Sequence, residues 1–453
     1  MEFKYIQHTP LWAALSKLGQ RLFLPDGIFY WSGRAKKESK LNATIGTAYG
    51  TLGDLFGTED QTWTILYVKK VAENFNIPPS EIAEYAPIGG IPELRQAWKE
   101  WIIYKCQKGA NIDVRPYLTN PLITTGVTMG LSMASALFID PGDYIILPDK
   151  FWENYNQIFE VIGGGKIEYF PFFLECDFNL EGMAVAVEKS LQVKSKTVLI
   201  LNFPNNPTGY VPSPANYNQI ATKLAAIGNK WKKPIVVLCD DAYEGYTYDQ
   251  QAATYSIFAH LVNRSPYLIP IKLDGASKEM LMYGGRVGAF TIGIHPSWVP
   301  PDARGILEAE INNKLEGYVR GTISNSNRSA QYVIAQLLLK NREELLKQRA
   351  ASITLLSKRY KLINKLLTEV PLPHSQVDPN NGGFFLLINL KGIKASDVAD
   401  KLLRQEQVAV IPMEVPEAGV NAIRIAYCSV KEDDLPRLVN AIRNVLSTSV
   451  SKI

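Results

Sequence analysis

A lysine set among small residues is the first position in this chain with chemistry to offer. Lys278 follows Asp274-Gly275-Ala276-Ser277, itself preceded by the apolar run Leu268–Leu273, and Arg286 comes shortly after. Such an amine is either a nucleophile toward a carbonyl carbon or an ordinary solvated cation. Its company decides between them. Asp240-Asp241-Ala242-Tyr243 closes the run Ile235–Cys239; a carboxylate there is costly to bury unless it meets a cation or holds a proton. Asp241 alone also reads as an N-cap for a following helix. Asn202 to Gly209, NFPNNPTG, uses two prolines and a glycine to fix an irregular loop that projects Asn206 as a neutral hydrogen-bond donor. Thr125-Gly126-Val127-Thr128 precedes a helix of small residues, Leu131 to Phe138. Amides at a helix start joined by hydroxyls cradle an anion, although a plain strand-to-helix turn has the same residues. Trp152, in Pro148–Tyr155, either stacks on a flat ring or fills the core.

Together these are the needs of one cofactor. Pyridoxal 5′-phosphate requires a lysine for a Schiff base, an acid to keep its ring nitrogen protonated, donors to its phenolate oxygen, and an anion cradle. The chain offers Lys278, Asp240, Asn206 with Tyr243, and Thr125 to Thr128 with Arg286.

The elements that must position these residues are legible from apolar runs. Leu122–Thr125, Tyr144–Leu147, Ile167–Phe173, Thr197–Phe203, Ile235–Cys239, Leu268–Leu273 and Val287–Gly293 alternate with helix-length stretches. Runs of that kind imply a mainly parallel sheet covered by helices on both faces, an α/β domain in which ligands bind beyond the carboxyl ends of the strands. Every candidate above follows such a run. Residues 1 to about 40 read as an amphipathic arm (Leu11, Leu15, Leu18, Leu22) with an aromatic segment, Ile28-Phe29-Tyr30-Trp31. After Ala330 the chain reads as one long helical connector to Leu367, then a smaller α+β domain with strands at Gly382–Ile388, Val408–Ile411 and Ile423–Ala426 and a closing helix, Lys431–Leu446. The expected division is 1–60, arm and part of the small domain; 61–330, large domain; 331–453, small domain.

Composition excludes several classes. With 453 residues, 46% hydrophobic and 20% charged, the chain has material for a large core, and a net charge of +4 without an aromatic-interleaved basic cluster gives no nucleic-acid footprint. Four scattered cysteines and four histidines give no metal-ligand spacing, so no metal is expected and the thiols read as core. Met1 to Gln20 lacks the apolar segment of a secretory signal and no run reaches the ~20 residues of a membrane span, so a cytoplasmic protein without membrane contact is expected.

In this order, NNPTG, DDAY, and SK followed by R-x-G, the chain resembles the fold-type I, class I/II aminotransferases, and among them the aspartate aminotransferase group, from about Leu41 to the end. The resemblance implies a seven-stranded, mainly parallel sheet and a homodimer with shared active sites. It implies that Lys278 carries the cofactor and moves the proton, that Asp240 pairs with the ring nitrogen, and that Tyr243 and Asn206 bond the phenolate oxygen while Trp152 stacks. Gly126, Val127, Thr128, Ser277 and Arg286 would hold the phosphate with Tyr85 of the second subunit. Arg424 would grip the substrate α-carboxylate beside Gly46 and Asn206. Arg320, in R-x-x-x-S-N, would cross the interface to a side-chain carboxylate, which favours aspartate or glutamate with a 2-oxo acid as partner; otherwise it is a helix-end surface arginine. Three positions depart from the pattern: Gly275 for a serine, Val127 for a glycine, and Tyr155 for a histidine. The alternatives are a lyase or decarboxylase on the same scaffold, an aminotransferase for aromatic or neutral amino acids, and a ligand-sensing regulator, for which no helix-turn-helix pattern is present.

Overall fold

A computed structural model of the chain describes residues 5–25, 27–369 and 371–449. Residues 1–4 of the arm and 450–453 after the closing helix lie outside the described residues. Runs rich in branched apolar residues with no polar face become strands only if helices cover both sides. All seven runs do so: β1 (Leu122–Thr124), β2 (Tyr144–Pro148), β3 (Lys166–Phe170), β4 (Thr197–Asn202), β5 (Ile235–Asp240), β6 (Leu268–Gly275) and β7 (Gly288–Ile292). They form one sheet in the order β1-β7-β6-β5-β4-β2-β3. Only β7 runs against its neighbours, β6 and β1; the other pairs are parallel.

The period of two along a strand sorts side chains between the covering layers. Val198, Ile200, Val236 and Leu238 pack in one cluster with Met129, Leu131 and Met133 of the helix Val127–Phe138. Leu199, Leu201, Val237 and Cys239 pack in another with Met183 and Val187 of the helix Leu180–Val193 and Ile220 and Leu224 of the helix Pro214–Trp231. Every residue of β4 and β5 is buried.

The smaller unit is an antiparallel sheet of β8 (Ser375–Val377), β9 (Leu386–Leu390), β10 (Ile411–Val415) and β11 (Val420–Ile425) in the order β8-β9-β11-β10, with a closing helix at Leu435–Ser449. The N-terminal segment joins it, since Leu41–Asn42 pairs in parallel with Val408–Ala409.

Several elements differ from the sequence expectation. The arm is broken into Pro10–Ala14, Lys17–Arg21 and Ile28–Glu38, because Thr9 and Ser16 cap new helices with their side-chain oxygens. The aromatic segment is the first turn of the third. The connector is two helices, Arg328–Lys340 and Arg342–Glu369, interrupted at Asn341. Gly382–Phe385 is a loop rather than a strand, with Gly382 N–H donating to the Gly209 carbonyl and Gly383 N–H to that of Tyr246. Cys106, Cys239 and Cys428 are buried as expected of core thiols, but Cys176 is exposed. Among the described residues no helix is long and apolar enough to cross a membrane.

Candidate active site

The carboxyl ends of β5 and β6 and the turn after β1 converge on one cleft, lined by Val127, Thr128, Trp152, Asn202, Asn206, Asp240, Ala242, Tyr243, Gly275, Ser277, Lys278 and Arg286. Nine of the residues singled out from sequence meet here.

Lys278 lies on a single helical turn, Ala276–Glu279, that continues directly from β6. Its carbonyl accepts from the Tyr246 hydroxyl at 2.9 Å, which fixes the turn, and its Nζ lies 5.0 Å from the centre of the Tyr243 ring. Burial pushes the amine down to about 8, with Arg286 and Arg424 adding to the effect and Asp240 opposing it. Tyr243 is buried against Phe384 and Phe385, edge to face.

Asp240 ends β5 and is buried. The Tyr155 hydroxyl donates to its Oδ2 at 2.6 Å and the Ala242 N–H to its Oδ1 at 3.2 Å. Burial raises this carboxyl, while those two donors and Lys278 pull it back. Tyr155, noted in the sequence as a departure, is thus the side chain that holds the acid, and its ring stands edge-on to Trp152 with centroids 5.6 Å apart.

Gly126 has φ +88, and a Cβ there would sit 2.8 Å from Arg286 Nη2, so glycine is required where the guanidinium closes over the helix start. The helix begins at Val127, four residues earlier than the sequence reading, which brings its first free N–H groups into the cleft. Arg286 Nη1 donates to Ser277 Oγ at 3.2 Å. The other two departures face each other: a Cβ on Gly275 would lie 2.9 Å from Val127 Cγ2. The valine occupies the space that a side chain at 275 would need.

The Asn206 backbone N–H donates to Asn202 Oδ1 at 2.8 Å, and its side-chain Oδ1 accepts from Arg424 Nη1 at 3.0 Å. Arg424, on β11, is 3% exposed. Its Nη2 donates to the Thr44 carbonyl at 2.9 Å, its Cζ lies 4.3 Å over the Phe385 ring, and its Nε has no partner among the described residues. A side chain at Gly46 would collide with Phe385, so that segment presents backbone at this wall. Thr44 and Phe385 escaped the sequence reading because their contributions, a carbonyl and a ring face, have no residue-type signature.

Two residues stand apart. Tyr85 is 87% exposed, its carbonyl accepting from Arg328. Arg320, near the end of the helix Arg304–Thr322, is exposed and donates to Ser324 Oγ. Neither lines the cleft of its own chain.

Asp241 is a correction. No regular helix follows it, and its Oδ2 instead accepts from Lys272 Nζ at 2.6 Å and Ser256 Oγ at 2.7 Å. Asp241, Glu244 and Asp274 have carboxylate oxygens close enough together to hold a metal ion, but Lys272 Nζ lies 2.6, 2.7 and 3.0 Å from the three and fills that position.

The family model for "Aminotransferase class I and II" matches residues 58–442. Two relatives are each 27% identical over 364 residues, 78% of this chain and 81% of their own: the aromatic-amino-acid aminotransferase 2 of Thermococcus litoralis and the aspartate aminotransferase of Pyrococcus abyssi. The crystal structure of an aminotransferase from Anaerococcus prevotii superposes with a TM-score of 0.78 at 25% identity, covering 96% of this chain and 99% of that one.

Proposed function

The chain belongs to the class I and II aminotransferases, and from that premise we propose that it binds pyridoxal 5′-phosphate in the Lys278 cleft and exchanges an amino group between an L-amino acid and a 2-oxo acid in ping-pong fashion. The observation that carries this reading is a set of three groups, Asp240 lining the cleft and Arg424 and Gly126 in contact with its lining residues Asn206 and Arg286. The buried Asp240 carboxylate has no cation in salt-bridge contact among the described residues. Arg424 has an orphan Nε, and Gly126 opens a twelve-residue helix under Arg286. A cationic ring nitrogen, a carboxylate and a phosphate are the groups that these three fit.

The cofactor, when bound, supplies an electron-withdrawing ring that stabilises negative charge at the substrate α-carbon. The chain supplies the rest. Lys278, with its amine lowered to about 8, has a substantial neutral fraction near neutral pH; it would serve as nucleophile and, once free, would move the proton from the substrate α-carbon to the cofactor carbon that takes the amino group. Asp240, held by Tyr155, keeps the ring nitrogen charged. Asn206 and Tyr243 donate to the ring oxygen, Trp152 stacks, and Gly126, Val127, Thr128, Ser277 and Arg286 hold the phosphate. Arg424 takes the α-carboxylate in its planar fork beside Gly46.

Tyr85 and Arg320 complete the reading only from a second copy, which their exposure in the single chain favours; we assign them to a cytoplasmic homodimer with shared sites and, through Arg320, to aspartate or glutamate as substrate. A single-turnover titration with L-aspartate, L-glutamate, L-alanine and L-phenylalanine tests this. Aspartate or glutamate is expected to convert the bound cofactor to its amine form, and Arg320→Ala to lose that conversion while keeping alanine. Conversion by phenylalanine alone would move the substrate to the aromatic class; no conversion by any amino acid would leave a lyase.

A further inference from the structure

Each principal side chain of the cleft from β5 and β6 is followed in sequence by an acid that turns the other way. Asp240, Tyr243 and Lys278 line the cleft, whereas Asp241, Glu244 and Glu279 are buried beneath it with relative exposures of 2%, 1% and 0%. Asp274, four residues before Lys278, joins them at 0%. Two lysines link all four carboxyls, sharing Glu244 and Asp274 between them. Lys272 Nζ reaches Asp241, Glu244 and Asp274 at 2.6, 2.7 and 3.0 Å. Lys105 Nζ, from the helix Pro92–Ala110, reaches Glu244, Glu279 and Asp274 at 2.6, 2.9 and 3.2 Å. Trp101, one turn earlier on that helix, donates its indole N–H to Glu279 Oε1 at 2.9 Å.

Arg349, on the long helix Arg342–Glu369 that leads to the smaller sheet, closes the cluster. Its Nη1 lies 2.9 Å from Glu279 Oε1, and Nη2 donates to the Glu244 carbonyl at 2.7 Å. Gly245 follows with φ +85, and a side chain there would strike the guanidinium. Burial raises both Asp241 and Asp274, with Glu244 adding to the effect and Lys272 opposing it. Glu244 goes the other way, because Lys105 and Lys272 outweigh the effect of its burial.

Buried charges are an inefficient way to stabilise a fold, since desolvation offsets most of the attraction. What a densely cross-linked network provides is fixed geometry, because its lysines each bridge several carboxyls from different elements, even though Asp274 Oδ2 and Glu279 Oε2 have no hydrogen-bond partner among the described residues. We propose that Lys105, through Glu244, Asp274 and Glu279, is a positioning residue for amino transfer: it locks the backbone of the turns after β5 and β6, so that Asp240, Tyr243 and Lys278 keep one mutual geometry. The inference rests on the cleft being the cofactor site. A displacement on the order of 1 Å at such a site costs roughly a hundredfold in rate.

The test uses purified holoenzyme in four forms: wild type, Lys105→Met, the shape-conserving Glu279→Gln, and the double variant. Two readouts are taken, the visible circular dichroism of the bound cofactor, which reports its orientation in the cleft, and the single-turnover rate with saturating amino acid. Lys105→Met is expected to diminish the dichroic band and slow the turnover by about tenfold or more, with substrate affinity changed less than about threefold. Glu279→Gln should do the same more weakly. The double variant should be better than the product of the two single effects, since it removes charges of both signs from one network. A dichroic band and a rate equal to wild type in either folded single variant would overturn the proposal, and so would strictly multiplicative effects. If Lys105→Met does not fold, the dichroic band and the rate of Glu279→Gln decide alone: values equal to wild type overturn the proposal, and a diminished band with slower turnover supports it. Absence of any cofactor band in wild type would instead sink the reading of the cleft itself.

Discussion

On the cleft side of the β5 and β6 ends, Asp240 and Lys278 make no ion pair among the described residues; on the opposite side every carboxyl meets at least one cation, although Asp274 and Glu279 each keep one oxygen without a hydrogen-bond partner. Arg424 leaves its Nε unbonded, and Lys278 makes no salt bridge among the described residues. Lys272 and Lys105, a short distance below in the fold, each touch three carboxyls. The same two strand ends therefore carry an open layer and a closed one. Open valences await a ligand, and closed ones hold their backbone still. Two lysines on one segment, Lys272 and Lys278, illustrate how environment assigns the role: Lys272 is pushed well above its ordinary range because its three acids outweigh its burial, while for Lys278 burial prevails and the amine falls to about 8.

The contrast breaks most sharply at those lysines. Lys278→Ala should abolish amino transfer, by roughly a thousandfold or more in single turnover, with little change in the urea unfolding midpoint. Lys272→Met should do the reverse in stability, costing about 3–5 kcal/mol in urea unfolding because it leaves buried carboxylates uncompensated. Should Lys272→Met unfold at the wild-type midpoint, the closed layer is not what holds the strand ends. On the open side, Arg424→Lys keeps a charge but loses the planar fork, and is expected to raise the substrate KM by roughly 10- to 100-fold, measured by steady-state kinetics.

The depressed amine gives a pH signature. The neutral fraction of Lys278 grows as pH rises through about 8, so cofactor attachment to the apoprotein, followed by absorbance, should accelerate about tenfold per pH unit below that value and level off above it. A profile still rising beyond pH 10 would mean that the amine is not depressed. The smallest effect concerns the Val127–Gly275 contact. Gly275→Ala places a methyl 2.9 Å from Val127 Cγ2 and should weaken cofactor binding by about 1 kcal/mol, and Val127→Gly in the same chain should recover most of it.

How much of this was legible in the sequence follows from how local each signal is. The seven strands were readable because an apolar run needs no distant partner to declare itself, and NNPTG and the Lys278 segment because their residue types already narrow the chemistry. The closed layer was invisible for the opposite reason. Lys272 sits in a run otherwise read as a buried strand, and the partners that make its burial tolerable, Asp241 and Glu244, come from another strand end. Asp241 accordingly read as a helix cap. The one available hint was parity: Lys272 and Asp274 share a face of β6 opposite to Leu273 and Gly275. The arm misled because its leucines have helical spacing while Thr9 and Ser16 restart the backbone. Tyr85 and Arg320 are exposed in one chain, so any role in the cleft depends on a second copy.

The most direct test of the account is to reduce the purified holoenzyme with borohydride, which fixes pyridoxal phosphate to the lysine that holds it, and to locate the adduct by peptide mass spectrometry. The account predicts the adduct on Lys278 and none on Lys272 or Lys105. An adduct on either network lysine, or on no lysine of this chain, would contradict the assignment of an open, reactive layer above a closed, structural one.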